Sequence, residues 1–205
     1  MAFWKKKKDK PADAAERSAA AELLEYLHDI VYILALILLV LTFCFRVVIV
    51  SGSSMFSTLV DGDYLLLLNN PLCGELEQGD IVVASMDRFR GGEAIVKRVI
   101  ATEGQTVDID FRQGIVFVDG VALEEEYIYT QTHLSEGMEF PLVVEEGCVF
   151  LMGDNRMDSR DSRAPEIGQV DTREILGRAV FLMLPGTGTG EYTVERDFGR
   201  IGGLG

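Results

Sequence analysis

A serine hydroxyl becomes a useful nucleophile only when a base lies beside it. Ser54 is a candidate, set in Gly52-Ser53-Ser54-Met55-Phe56-Ser57-Thr58-Leu59. Its small neighbours permit a tight backbone whose amides could face a developing oxyanion. A serine-rich linker would read the same way, so this stretch alone decides nothing. Of the two histidines, His28 sits at the cytoplasmic end of the apolar N-terminal helix and cannot reach a site outside. His133 lies in a Thr- and Glu-containing loop without a paired carboxylate pattern, so a Ser-His-Asp triad is poorly supported. Lys97 is the alternative base. In Ala94-Ile95-Val96-Lys97-Arg98-Val99-Ile100, strand alternation groups Lys97 with Ile95 and Val99, and Arg98 with Val96 and Ile100. An ammonium among such neighbours loses hydration, its pKa falls, and the neutral amine can accept a proton near neutral pH. An edge strand with both cations reaching into water is the other reading. A third segment, Gly153-Asp154-Asn155-Arg156-Met157-Asp158-Ser159-Arg160-Asp161-Ser162-Arg163, directly follows the apolar run Val149 to Met152. Its Asp/Arg pairs could hold a loop rigid, and Ser159 or Ser162 could orient an amine.

These residues need a scaffold, and the chain has two kinds of material for one. From Ile30 to Phe45 there is no charge, and Leu23 to Leu27 extend the apolar pattern backwards. With Arg46 snorkelling at its far end, this is long enough for the roughly 20 residues of a membrane-spanning helix. The lysines at 5 to 8 and 10 orient it with the N-terminus in the cytoplasm, so everything after residue 50 is expected outside. That second part reads as β: short β-branched or aromatic runs at Val47–Val50, Tyr64–Leu68, Ile81–Ser85, Ala94–Ala101, Val107–Asp110, Ile115–Val118, Leu142–Val144, Val149–Met152 and Ala179–Leu184, separated by Gly, Asp, Asn or Pro. Asp119-Gly120 suits a tight hairpin turn. The expected organisation is a basic segment at 1–22, an anchor helix at 23–46, a mainly β, folded-sheet or barrel-like domain at 47–185, and a loosely ordered glycine-rich tail at 186–205. A formal net charge of −14 disfavours nucleic acid as a partner. Three cysteines make no disulfide framework, although Cys73 and Cys148 could pair if their segments meet. No Cys-x-x-Cys pair or His/Cys cluster suggests a metal.

Taken in order, these segments resemble the motif set of the type I signal peptidases over roughly residues 30 to 185. That family has an anchor helix, a Ser-Met-x-Pro-Thr-Leu box, a Gly-Asp-Ile-Val-Val strand, a Lys-Arg-Val box, and Gly-Asp-Asn-Arg-x-x-Ser-x-Asp-Ser-Arg. The corresponding stretches here are Ser54 to Leu59, Gly79-Asp80-Ile81-Val82-Val83, Lys97-Arg98-Val99, and Gly153 to Arg163. Any one is modest; four in order are strong. The resemblance implies Ser54 as nucleophile, Lys97 as a general base that is neutral when active, and Ser159 as the serine orienting it. It further implies that the Ser54 amide is an oxyanion donor, that Asp161 with Arg163 and Asp154 with Arg98 are supporting ion pairs, and that Met55 lines the substrate cleft. Lysine at 97 favours the bacterial type over the eukaryotic reticulum type. Ser57 stands where the family has proline. Gly52 stands where some members have an oxyanion-hole serine, so backbone amides, aided by Ser53, would have to serve. Phe56 is expected near the cleft, adding apolar surface toward the bilayer.

The activity implied is removal of signal peptides from exported preproteins after small side chains at the first and third positions before the cut. It would be performed by a monomer anchored once in the plasma membrane, without cofactor or metal. Two rival readings are a specialised Ser/Lys protease for one exported substrate and a catalytically degenerate, anchored binding domain.

Overall fold

The computed structural model describes residues 11–204; the lysine cluster at 5–10 lies outside them. The chain divides into two compact units, 1–43 and 44–205. The first is built on one helix, α1 (Pro11–Cys44). Its stretch Ala21–Cys44 has 24 residues with mean hydropathy 2.4. At ~1.5 Å per residue this exceeds the ~30 Å of a bilayer's hydrocarbon core. Leu24, Leu38 and Phe43 are all exposed, and from Ile30 to Cys44 the helix carries no charged residue on any face, after Glu22, Glu25 and Asp29 in the preceding turns. Thr42 is accommodated by donating its hydroxyl to the Leu38 carbonyl at 2.7 Å. The helix stops at Cys44. Arg46, expected at the anchor's end, instead lies in β1 (Phe45–Ile49) opposite Leu67, because the β-branched run Val47 to Ile49 pairs with β2 (Tyr64–Asn69) and draws the strand back to Phe45.

The second unit is β throughout, apart from short 3-10 turns. One sheet runs β1-β2-β11-β3-β4-β9-β10, with β3 at Ile81–Ser85, β4 at Ala94–Thr102, β9 at Cys148–Met152, β10 at Val170–Asp171 and β11 at Ile175–Leu184. A smaller sheet runs β7-β6-β5-β8, with β5 at Thr106–Asp110, β6 at Ile115–Val118, β7 at Val121–Ala122 and β8 at Leu142–Val143. The fold class is therefore mainly β with one N-terminal apolar helix. Alternation sorts the side chains: in β2, Leu65 and Leu67 are fully buried while Tyr64 is exposed. The buried leucines pack with Met55, Leu59, Ile81, Val83, Ala179 and Leu182. Because Met55 and Leu59 belong to the β1–β2 connection, that loop is fastened to the core by its own side chains. All three cysteines are free thiols; Cys73 donates to the Leu68 carbonyl at 3.1 Å rather than pairing with Cys148.

The tail corrects the expectation of loose order. Its last strand, β12 (Gly202–Gly203), pairs with Leu182 and Phe181 of β11. The cause lies upstream, at Asp63, whose carboxylate is fully buried. A buried carboxylate must be matched. It accepts from the Val60 amide at 2.9 Å, the Gly186 amide at 2.6 Å, and Arg200 at 3.1 and 2.6 Å. Arg200 also donates to the Thr58 carbonyl at 3.0 Å. A Cβ on Gly186 would meet the Asp61 carbonyl at 2.3 Å, so glycine here allows close approach rather than slackness. Asp63→Ala strips partners from Arg200 and two amides, and is expected to cost about 3 kcal/mol or more. That corresponds to a melting temperature lower by roughly 6–12 °C. An unchanged thermal transition would show that the latch adds nothing to stability.

Candidate active site

Ser54 sits in the loop between β1 and β2, and backbone bonds fix the path there. The Gly52 amide donates to Asp61 Oδ1 at 2.8 Å, the Phe56 amide to the Ser53 carbonyl at 3.0 Å, and the Leu59 amide to the Met55 carbonyl at 2.8 Å. From the other side, Asn155 donates its amide to the Ser54 carbonyl at 3.0 Å and its Nδ2 to the Ser53 carbonyl at 3.3 Å. The segment after β9 thus grips the nucleophile loop directly. Gly153 lies at the closest point: a Cβ there would fall 2.4 Å from the Ser54 carbonyl and 2.2 Å from Ser159 Oγ.

Lys97 approaches from β4. Its Nζ lies 2.6 Å from Ser54 Oγ and donates to the Val96 carbonyl at 3.0 Å, and the residue is 3 % exposed. Burial lowers its pKa to about 8, against the raising influence of Asp161 and Asp154. Alternation could not choose between Lys97 and Arg98, and the structure shows both withdrawn from water in different company. Arg98 pairs in a fork with the fully buried Asp154, Nε to Oδ1 at 2.9 Å and Nη2 to Oδ2 at 2.7 Å, with its guanidinium 4.0 Å above the Tyr127 ring. Arg98 is therefore a permanently matched cation. Lys97 is an amine that can lose its proton.

Asp161, fully buried, accepts from Arg163 through Nε and Nη2 at 2.8 Å each, from the Gly153 amide at 3.0 Å and from Ser159 Oγ at 2.8 Å. Burial opposes its ionisation, but Arg163 and these donors hold its pKa below the usual carboxylate range. Ser159 is thus engaged with Asp161. Among the described residues no hydrogen bond joins Ser159 to Lys97, whose partners are Ser54 and Val96. Ser162, the other hydroxyl considered, instead accepts from the Leu151 amide at 2.9 Å. The expected oxyanion donors also separate. The Gly52 amide is used by Asp61 and the Ser53 hydroxyl by Asp158. The Ser54 amide has no partner among the described residues.

A cleft of about 570 Å³ runs from β1 past Ser54 and Lys97, walled by Val48, Val50, Val83, Ile95, Val96 and Leu134. Apolar side chains alternate with charged ones along it, among them Arg46, Glu93, Glu136 and Asp158, with the Ser54–Lys97 pair at one place. It suits an extended peptide, since β1 is an edge strand with backbone groups to spare. Met55 touches this cleft as expected, although it is only 1 % exposed and mostly belongs to the core. Phe56 is not among the lining residues. Its ring packs against Tyr129 and Tyr192, with centroids 4.8 and 5.1 Å away. The His133 ring meets the Phe111 carbonyl through Nδ1 at 3.0 Å, and among the described residues no carboxylate bonds that ring.

A hydroxyl set against a buried, deprotonatable lysine beside a cleft has the parts that nucleophilic acyl chemistry needs. The sequence model for "Signal peptidase, peptidase S26" matches residues 23–184. The chain belongs to the signal peptidase family. A signal peptidase I from Bacillus amyloliquefaciens is 33% identical over 169 residues, 78% of this chain and 85% of that one. A probable signal peptidase I-1 from Synechocystis is 36% identical over 150 residues, 69% of this chain and 72% of that one. A crystal structure of a signal peptidase I from Enterococcus faecalis aligns with a TM-score of 0.41 at 27% identity, covering 51% of this chain and 96% of that one.

Several neighbours of the signal peptidase motifs escaped sequence reasoning. Glu136 lines the cleft, lies close enough to Lys97 to raise the amine's pKa, and has its own pKa raised, mainly by burial. Nothing in Ser135-Glu136-Gly137 marks it out. Thr58 is different: it lies within the nucleophile box and donates to Asp154 Oδ2 at 2.5 Å, tying that loop to the Arg98 pair. Asn155, inside Gly153-Asp154-Asn155, likewise belongs to a motif whose residue types do not mark it as the clamp on Ser53 and Ser54. Thr58→Val should loosen this tie while keeping shape. A several-fold fall in kcat is expected, together with a melting temperature lower by roughly 3–12 °C from the loss of one hydrogen bond to a charged group, worth about 1.5–3 kcal/mol. Equal kcat for the two proteins would remove Thr58 from the supporting network.

Proposed function

We propose that this chain is a membrane-anchored serine endopeptidase that removes N-terminal signal peptides from exported preproteins, with Ser54 as nucleophile and Lys97 as general base. The observation that carries the reading is the 2.6 Å approach of Lys97 Nζ to Ser54 Oγ by a lysine that is 3 % exposed. Neutral Lys97 takes the Ser54 proton as Oγ attacks the scissile carbonyl. The ammonium so formed returns that proton to the departing amine, leaving the signal peptide esterified to Ser54. Water then enters, Lys97 takes its proton, and the hydroxide oxygen attacks the ester carbonyl. Collapse releases the signal peptide's carboxyl end and restores the serine hydroxyl. The Ser54 amide is the proposed donor to the oxyanion at both stages. Asp161, Arg163 and Ser159 hold the Gly153 segment against the loop, and Asp154 with Arg98 and Thr58 holds it from the far side.

The anchor belongs to the same reading. Ala21–Cys44 is long and apolar enough to span a bilayer, and the lysines preceding it favour a cytoplasmic N-terminus. The β unit then stands outside the cytoplasm, at the plasma membrane's outer face, where a signal peptide's own apolar segment is held. Tethering enzyme and substrate to one surface raises their effective concentration.

The test is cleavage of purified precursors, each with alanine at the first and third positions before the cut, over roughly pH 6 to 10. Below its pKa Lys97 is an ammonium and cannot accept a proton, so kcat/KM should rise tenfold per pH unit and level off above about 8. A single cut after the second alanine with that profile supports the reading. Inert enzyme, or a rate flat from pH 6 to 9, would sink it. Cutting only one of several unrelated precursors would narrow it to a specialised protease.

A further inference from the structure

We propose that Phe56, Tyr129 and Tyr192 form the subsite for the residues that follow the scissile bond, so that the C-terminal segment sets which mature N-termini are accepted. This rests on the peptidase reading above. The three rings come from distant parts of the chain and meet at one place, with Phe56 in contact with both tyrosines and the tyrosines 6.3 Å apart, in edge-to-face or tilted contact. None of them belongs to the buried core: Tyr129 is 52% exposed, and Phe56 and Tyr192 are half-buried. An exposed aromatic cluster costs solubility and invites a partner unless something covers it.

Its position relative to Ser54 says what that partner is. The cleft holds Ser54 and Lys97, and none of the three rings lines it. Yet the cluster is fastened to the nucleophile's own backbone. Tyr129 donates its amide to the Asp154 carbonyl at 3.0 Å. Tyr192 lies beside the side chain of Asn155, the residue that grips the Ser53 and Ser54 carbonyls. A polypeptide cut at Ser54 must extend beyond it on both sides, at ~3.3 Å per residue. The part before the cut fills the cleft. The part after the cut leaves across the other flank of Ser54, where Phe56 stands on the same loop. The rings offer faces and edges to an apolar or aromatic side chain. Carboxylates neighbour Tyr192: the Asn155 side chain lowers the phenol's pKa, but burial together with Asp158 and Glu191 pushes it up overall. Acidic residues just after the cut therefore meet like charge as well as rings that give them nothing.

The discriminating experiment compares two precursor peptides identical up to the cut, one continuing Leu-Phe and the other Asp-Glu. Wild type, Tyr129→Ala, Tyr192→Ala and Tyr192→Phe are assayed on both. Wild type should favour the apolar continuation. Each alanine variant should lose about 2- to 12-fold in kcat/KM on it, the worth of one aromatic contact, with little change on the acidic one. Tyr192→Phe, which keeps the ring, should keep the preference. If both alanine variants lose the same factor on both peptides, the rings only brace the loop and the subsite is overturned. Unchanged kcat/KM in both alanine variants would overturn it as well. Wild type that cuts neither peptide overturns the peptidase reading, and the subsite with it; wild type that cuts both without discrimination overturns the subsite alone.

Discussion

Ser54→Ala and Lys97→Met should each lower kcat on a precursor by at least about 10⁴-fold, and combining them should add little, because groups acting as one unit fail together. Lys97→Met carries a second consequence of opposite sign. In the fold, the Lys97 pKa falls from 10.5 to about 8. The folded protein therefore disfavours the charged amine, and below pH 8 this costs about 3 kcal/mol relative to an unfolded chain in which the lysine is freely solvated. The group's folded pKa lies below its unfolded one, so the unfolded state holds the extra proton between those values. The penalty is full below pH 8 and disappears by about pH 10.5. Methionine has similar length and no charge. Replacing the lysine sacrifices its bonds to Ser54 Oγ and the Val96 carbonyl, about 1 kcal/mol each. A net gain on the order of 1 kcal/mol remains at neutral pH and turns into a loss above pH 10. An inactive variant that melts higher than wild type at pH 7, with the difference shrinking as pH rises, is the expected result. A variant that melts lower at pH 7 would mean that the amine is solvated more fully than its 3 % exposure implies.

Residue types mark Ser54 and Lys97 as candidates, and the structure brings the two together; what residue types do not carry is the polar framework around them. The strands at Ile81–Ser85 and Ile115–Val118 appear with the expected bounds because short runs rich in β-branched and aromatic residues between turn residues leave few alternatives. Val170–Asp171 and Gly202–Gly203 were invisible, since strands of two residues carry no periodicity and glycine carries no side-chain signal. Asp61-Gly62-Asp63 looks like any exposed turn. Only the fold reveals that Asp61 caps the Gly52 amide, while Asp63 is buried and holds the tail through Arg200 and Gly186. Phe56 shows the same limit from the other direction: its position beside Ser54 suggested the cleft, but which flank a ring occupies depends on residues far away in sequence, here Tyr129 and Tyr192.

Asp161 gives the second large effect, and it separates support of the fold from support of the chemistry. Its carboxylate is the sole anion in direct contact with the buried Arg163 guanidinium among the described residues. Asp161→Ala strands that cation and should cost about 3–5 kcal/mol, a melting temperature lower by roughly 6–20 °C. Stability alone would not distinguish a site residue from a core residue. Asp161→Asn does, because it keeps the size of the side chain and an oxygen to receive the Gly153 amide while removing the charge. Asp161 is the strongest of the charges that raise the Lys97 pKa against burial, and Arg163 lowers it. Without the carboxylate, the kcat/KM profile should rise at a pH below 8, and the plateau should fall as the amine becomes a weaker base. Arg163→Gln removes the opposing charge, so its profile should rise at a higher pH than wild type. Opposite displacements of the two midpoints would tie both residues to the lysine's protonation. Midpoints that stay at the wild-type value in both variants, however unstable the proteins, would leave the Asp161–Arg163 pair a brace for the Gly153 loop and nothing more.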